Sequence, residues 1–366
     1  MTDFFAYSAW LELTQPISVQ PKRNASATAT ATATITAVRQ SGWRRSVWAL
    51  VIGLTTLFLC MAPPAMAAEG DDFHDKLMRL GTGPLGGSLE PIGNTLCEAI
   101  NAKRSVTLVR CLPMNSAGSL FNANAVANGS LQLGLGQEDL VAQTHKSMTV
   151  KKGSQLRAVA LMHTTPIAVM VRKASGITAL EQIRQGRVNV GNKGSGDRLN
   201  ALAVIKALNL RESDLAGATD LSASESAEAF CKGTVDVVIN AFAHPSAFYK
   251  RLLDCDGEFL DIPSEVIVKM QSDNIWLRPM TITAGLYRPT QQLVNTVGMR
   301  NLLFTHAAVD DEAIFRVATL IRTQFKKLRD DQPALSTMVQ MEIGDVPGLG
   351  VPLHPGALRA LQGDKR

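Results

Sequence analysis

"KLMRLGTGPLGGSLEPIG", residues Lys76–Gly93, decides the fold class. An apolar run meets Gly81-Thr82-Gly83-Pro84-Leu85-Gly86, and helical spacing follows. Leu77–Leu80 reads as a strand. Gly87–Ala102 reads as a helix, because Leu89, Ile92, Leu96, Ala99 and Ile100 recur near a 3.6 period. A glycine-rich strand-to-helix turn lets backbone approach a ligand and leaves free N–H groups at the helix start. The same glycines spell G-x-G-x-x-G, the outline of a dinucleotide turn. That chemistry also needs an acidic residue about 20 positions on, at the end of the second strand, to hold the ribose. Between Glu98 and Glu138 there is no acidic residue, and Pro84 removes a backbone N–H from the turn. The glycines therefore serve something other than a nicotinamide cofactor, and no cofactor is expected.

The alternation continues along the chain. Val106–Cys111 reads as a strand, Ser116–Asn128 as a helix and Leu131–Leu135 as a strand. Arg157–Met162 and Ala168–Arg172 read as two strands around a break at Thr164-Thr165-Pro166. "GITALEQIRQG" is a short helix stopped by Gly186, "RVNVG" is a strand, and "NKGSGDRLNALAVIKALNL" is a loop running into a helix. "SAEAFCKG" closes a helix. "TVDVVINAF" is a β-branched buried strand, and His244–Leu253 is a helical candidate. "TVGMRNLLFTH" returns as a strand, followed by one long amphipathic helix over Asp310–Leu328. Such alternation implies parallel sheets. Two further small polar loops join strands to helices: "NSAGS" (Asn115–Ser119) and "GNKGSGDR" (Gly191–Arg198). Three such loops split between two α/β units describe a cleft that grips a small polar ligand from both sides.

The chain has 366 residues, 46% hydrophobic and 19% charged, as expected of a packed globular protein with room for two domains. Its formal net charge is +5. The first 67 residues hold five basic and two acidic residues, which leaves 32 against 30 in the remainder. With aromatics at 5% and no basic stripe, this is no nucleic-acid binder. Arg44-Arg45 precede "SVWALVIGLTTLFLCMA", and Ala65-Met66-Ala67 forms an A-x-A site. The run is short for a membrane span, so a signal peptide cleaved near Ala67 is expected, with export to the periplasm. The Ala/Thr tract of residues 25–37 is low-complexity leader. Four cysteines then remain: Cys97, Cys111, Cys231 and Cys255. An even count behind an export signal favours disulfides. Three pairings are possible, and the local one, Cys97–Cys111 with Cys231–Cys255, is preferred.

These residues carry a family resemblance over nearly all of Leu77–Leu361. The chain resembles the TAXI-type solute-binding proteins of TRAP transporters. "LGTGPLGG" looks like that family's first glycine loop, and "NSAGS" is similar to its S-T-G-G-S loop, followed by "LGLGQEDL". "VMVRKASGITALEQIRQGRVNVGNKGSGDR" is close to its crossover strand and G-x-x-G-S-G-x-R loop. "VDVVINAFAHPS" resembles its G-H-P segment, and "VPLHPGALR" its C-terminal signature. The resemblance implies an α/β, two-lobed type II periplasmic-binding-protein fold, with two parallel or mixed sheets joined by crossover hinge strands. Residues 68–167 and 299–366 would form the first lobe and 168–298 the second. It implies a monomeric receptor, not an enzyme, that delivers a small organic acid or amino acid to a TRAP-type membrane permease.

On this reading Thr82, Gly83, Ser88, Asn115, Ser116, Ser119 and Gln137 hold the ligand from the first lobe. Asn192, Lys193, Gly194, Ser195, Gly196, Arg198 and His244 hold it from the second. Lys193 stands where the family commonly has proline and would add a point charge for an anionic group. Asp197 replaces a common Thr or Gln; it could instead cap the helix or pair with Lys193. Ser88-Leu89-Glu90-Pro91 replaces a frequent Thr-Tyr-Tyr-Pro, so a retuned ligand is expected. The histidines form no H-E-x-x-H or H-x-H, and no metal site is expected. Two other readings compete: a periplasmic sensing module on the same fold, and a hydrolase using Ser195, although that serine lies outside a G-x-S-x-G elbow.

Overall fold

The computed structural model describes residues 76–152, 155–289, 291–338, 340–342 and 348–363. The expected signal peptide and leader lie outside them. Strand β1 (Lys76–Gly81) buries Met78 and Leu80 and exposes Leu77, the alternation of a half-covered strand. Helix α1 (Leu89–Ala102) turns Ile92, Leu96 and Ile100, spaced four apart, onto that strand's buried face. β2 (Val109–Met114), α2 (Ser119–Ala127), β3 (Leu133–Gln137) and α3 (Glu138–Lys152) complete the first run. β1 pairs in parallel with both β2 and β3.

The long strand β4 (Leu156–Arg172) leads into the second run. A 3-10 turn (Leu180–Gln185) precedes β5 (Arg187–Asn189), α4 (Gly196–Ala207), β6 (Gly217–Thr219), α5 (Ala223–Cys231) and β7 (Val237–Ala241). α6 (Ala247–Asp254), β8 (Gly257–Leu260), α7 (Ser264–Asp273) and β9 (Arg278–Ile282) follow. β10 (Val294–His306) returns to the first run, closed by α8 (Asp311–Thr323), α9 (Phe325–Asp331) and α10 (Pro355–Gln362). β3 and β7 are buried along their whole length, as parallel strands covered on both faces must be.

The strand order is β2-β1-β3-β10-β4-β7-β5-β6, with β8 added on β4 and β9 on β10. Two strands belong to both lobes. β4 runs beside β10 from Leu156 to Pro166, then beside β7 from Ile167 to Val171. β10 pairs with β9 from Val294 to Gly298, then with β3 from Asn301 to Thr305. Four buried clusters cover the two faces of each lobe. Ile92, Leu96 and Val317 belong to one face of the first lobe, and Val126, Val141 and Phe304 to the other. Val188, Val204 and Ile239 mark one face of the second lobe, and Phe230, Tyr249 and Leu252 the other.

Several boundaries differ from the sequence reading. The strand expected over Val106–Cys111 starts at Val109, because Arg104–Thr107 forms a helical turn and Leu108 takes φ +51°. The two strands expected around Pro166 are one. β7 joins β4 only from Ile167, so the proline removes no donor from that ladder. The single helix expected over Asp310–Leu328 breaks at Gln324, whose φ is −102°. Helices expected from Gly87, Ser116 and His244 start at Leu89, Ser119 and Ala247. Short β6, β8 and β9 carry too few residues for a period to show.

Both local disulfides are present, with Cα separations of 4.9 Å for Cys97–Cys111 and 5.2 Å for Cys231–Cys255. The first ties α1 to β2. The second reaches from the end of α5 past β7 to the end of α6.

Candidate functional site

Parallel strands all point their carboxyl ends one way, so the loops that follow them gather on one rim. Three of those loops meet at a cavity of about 30 Å³. The loop after β1 supplies Gly87, Ser88 and Leu89. The loop after β2 supplies Gly118 and Ser119. The loop after β5 supplies Ser195, Gly196 and Asp197. Gln137 at the end of β3, Phe242 just past β7 and Asn301 on the crossover strand β10 complete the polar and apolar walls. The starts of α1, α2 and α4 therefore share one cavity. First-turn N–H groups have no intrahelical partner and carry the positive end of the helix dipole. Among the described residues no lysine, arginine or histidine lines the cavity, and Asp197 is the one acid.

The two lobes touch beside this cavity. Asn192 Nδ2 donates to Ala117 O at 3.0 Å, and Phe121 N donates to Gly194 O at 3.2 Å. Gly194 (φ +82°) and Gly118 (φ +118°) use backbone conformations that side chains disfavour, and each lies against the opposite loop. A Cβ on Gly118 would stand 3.3 Å from Ser195 Cα, and one on Gly196 would stand 2.6 Å from the Gln137 amide. These glycines are what allow the loops to meet.

Ser88, Ser119, Gln137, Ser195 and Gly196, all expected from sequence, line the cavity. Ser119 Oγ accepts from Gln137 N at 3.2 Å. Gln137 is 4% exposed, and its Oε1 is buried with no hydrogen-bond partner, an acceptor left for something else. Ser195 donates to Asn192 O at 2.6 Å and accepts from Arg198 N at 3.1 Å, the geometry of a helix cap rather than a nucleophile. The remaining expected residues stand outside the lining. Thr82 is fully buried and donates to Met114 O at 3.1 Å. Gly83 O accepts from Ser116 N at 3.2 Å, and Ser116 Oγ accepts from Gly118 N at 3.1 Å, so this pair shapes the rim. Asn115 is exposed. Arg198 turns to Glu212, at 2.8 and 3.2 Å.

Lys193 is exposed on the rim, and no ion pair with Asp197 forms among the described residues. Asp197 does not cap its helix either, since Ser195 does. Asp197 Oδ1 accepts from Ala241 N at 2.8 Å across the lobe. Burial pushes its carboxyl up to about 7, against the opposing effect of that hydrogen bond.

His244 is packed behind the cavity. It stacks on Tyr249 at 4.6 Å, and its Nδ1 meets Tyr287 Oη at 2.7 Å. Ser246 N donates to that same oxygen at 2.8 Å. Burial lowers the His244 pKa to about 3, which keeps the ring neutral. Sequence reasoning missed Phe242 and Asn301. A polar Asn301 inside the apolar run of β10 was the available signal. Asp197, expected as a helix cap or a partner of Lys193, lines the cavity instead.

The model of the NMT1-like family matches residues 80–363. Among solved structures, the periplasmic binding protein BugD aligns over 78% of this chain and 92% of its own, at 11% identity and a TM-score of 0.50. The alkanesulfonate-binding protein SsuA from Xanthomonas axonopodis pv. citri, bound to MOPS, aligns over 78% and 83%, at 16% identity and a TM-score of 0.44. A binding-protein component of an ABC phosphonate transporter from Pseudomonas aeruginosa aligns over 70% and 79%, at 9% identity and a TM-score of 0.45. The likeness to BugD is one of fold: the α/β periplasmic-binding-protein architecture.

Proposed function

Because this chain belongs to the NMT1-like family, we propose that it is a periplasmic solute receptor, one that takes a small organic acid or amino acid into its inter-lobe cleft and hands it to a membrane permease. One observation carries this reading. Helix starts from both lobes converge on one cavity whose described lining has no cationic side chain, and the unpartnered buried Gln137 Oε1 leaves an acceptor there for a donor group of the ligand. Backbone N–H groups at helix starts attract carboxylate-like groups with no charged residue required. Such charge-assisted hydrogen bonds contribute about 1.5–3 kcal/mol each. The permease is assigned as TRAP-type on the motif resemblance of the three loops and the C-terminal signature. Lys193, at the rim, then attracts the anion toward the cleft rather than holding it. The test is a thermal-shift screen of organic acids and amino acids. A ligand present at 100 times its Kd stabilises the folded state by about 2.7 kcal/mol, which raises Tm by several degrees. A panel that leaves Tm unmoved throughout would sink the receptor reading.

Residues 168–298 are assigned as the moving lobe, with β4 near Ile167 and β10 near Gly298 as the hinges. In this scheme ligand favours the closed arrangement in which Gly196 meets Gln137. Valine at position 196 would drive its side chain into that amide and hold the lobes apart. Gly196→Val should therefore weaken binding at least tenfold while raising the radius of gyration in saturating ligand. Calorimetric titration and small-angle scattering read these two quantities. Parent-like affinity would mean that closure does not use this contact.

A further inference from the structure

Asp197 is the one charged side chain on a cavity otherwise built to take an anion, which raises the question of what it faces. Its Oδ1 is held by Ala241 N at 2.8 Å. No hydrogen bond or ion pair among the described residues reaches its Oδ2. The neighbouring cation, Arg198, is turned away to Glu212, and Lys193 is on the rim. A half-buried carboxylate without a cation beside it carries a desolvation cost that a cationic ligand group would offset. A purely structural acceptor for Ala241 N could as well have been a neutral amide. The starts of α1 and α2 line the same cavity as Asp197. The lining thus combines helix-start N–H groups, which favour an anion, with one carboxylate.

We propose that Asp197 binds the ammonium group of the ligand while the helix starts bind its acid group, so that the solute is a compact amino acid zwitterion rather than a dicarboxylate. This rests on the solute-receptor reading and narrows it. Leu89 and Phe242 give the solute's side chain an apolar wall. A second carboxylate placed near Asp197 would meet like charge at short range once Asp197 is ionised, which disfavours dicarboxylates against amino acids.

Calorimetric titration with matched compounds tests the assignment. Alanine, lactate and propionate differ only at the α-substituent, and glycine, serine, glutamate and succinate extend the series. The parent should bind an amino acid at least tenfold more tightly than its hydroxy or unsubstituted counterpart, the range of a hydrogen bond to a charged group. Asp197→Asn keeps an oxygen for Ala241 N and loses the charge. It should lose that tenfold preference and leave the affinity for the hydroxy acid within about threefold. A melting curve on the same sample shows that the variant is folded. Two outcomes overturn the assignment and leave the receptor reading standing. One is succinate or propionate binding the parent as tightly as any amino acid; the other is an amino acid binding Asp197→Asn as tightly as the parent. If no compound of either kind binds, the receptor reading itself fails, and this assignment with it.

Discussion

Arg300→Met is expected to destabilise the protein by about 3 kcal/mol, the low end of the cost of leaving a buried charge without its partner. Glu138 opens α3 and is 2% exposed. Its two oxygens accept from Arg300 Nε at 2.6 Å and Nη2 at 2.8 Å, and Oε1 also accepts from Gly350 N at 2.9 Å. Arg300 Nη2 donates further to Gly348 O at 2.6 Å. The ion pair thus fastens crossover strand β10 to the start of α3 and to the C-terminal segment, one residue from the cavity's Asn301. Removing the guanidinium leaves the Glu138 carboxylate buried with a single amide donor. Arg300 is about a third exposed, which lets water reach part of the gap and keeps the cost at the low end. Denaturant unfolding measures it through the midpoint at constant slope. Adding Glu138→Gln should recover part of the loss, because no buried charge then remains. A change below about 1 kcal/mol in the single variant would show that Glu138 is solvated in the native state.

The second large effect is a pH-dependent one at Asp197. Its folded-state pKa of about 7 stands above the ordinary 3.8 because burial disfavours the charged form. The sign follows from proton affinity. The folded state holds this proton more tightly than the unfolded chain does. The associated stability is fully present below about pH 4 and is lost as pH rises through 7. At about 1.4 kcal/mol per pKa unit the loss is on the order of 2–4 kcal/mol, the lower figure allowing for water in the cavity. Asp197→Asn removes the titration and keeps an acceptor for Ala241 N. It should therefore be more stable than the parent by about 2 kcal/mol at pH 8 and equal to it near pH 4. Asp139, also buried and raised, cancels because both proteins carry it. A difference between the two proteins that stays flat across this range would place the Asp197 carboxyl in water.

The loops of the candidate site were legible because each is built from residue types that only a turn or a helix start wants. Gly83, Gly118 and Gly194 with Ser88, Ser119 and Ser195 mark strand-to-helix passages whatever surrounds them. Their roles were less legible. Ser195 and Ser116 look like ligand hydroxyls and are spent on their own loops. Arg198 looks like an anion clamp and belongs to Glu212, 14 residues on. Whether a polar group faces a ligand or a neighbour depends on where other segments pass, which local spacing does not encode.

The sequence by itself determined the α/β class and the strand-to-helix loops, and it favoured the local cysteine pairing. The class and the loops follow from short-range rules: hydrophobic period, and glycine and serine at turns. Only the tertiary structure decided that β4 continues through Pro166, where β4 and β10 change partners, and that three helix starts and Asp197 share one cavity. Those facts rest on contacts between residues far apart in the chain, such as Asn192 with Ala117 and Asp197 with Ala241. The free energy of such contacts is set by burial and partner geometry once the chain has closed on itself, and no local pattern carries it.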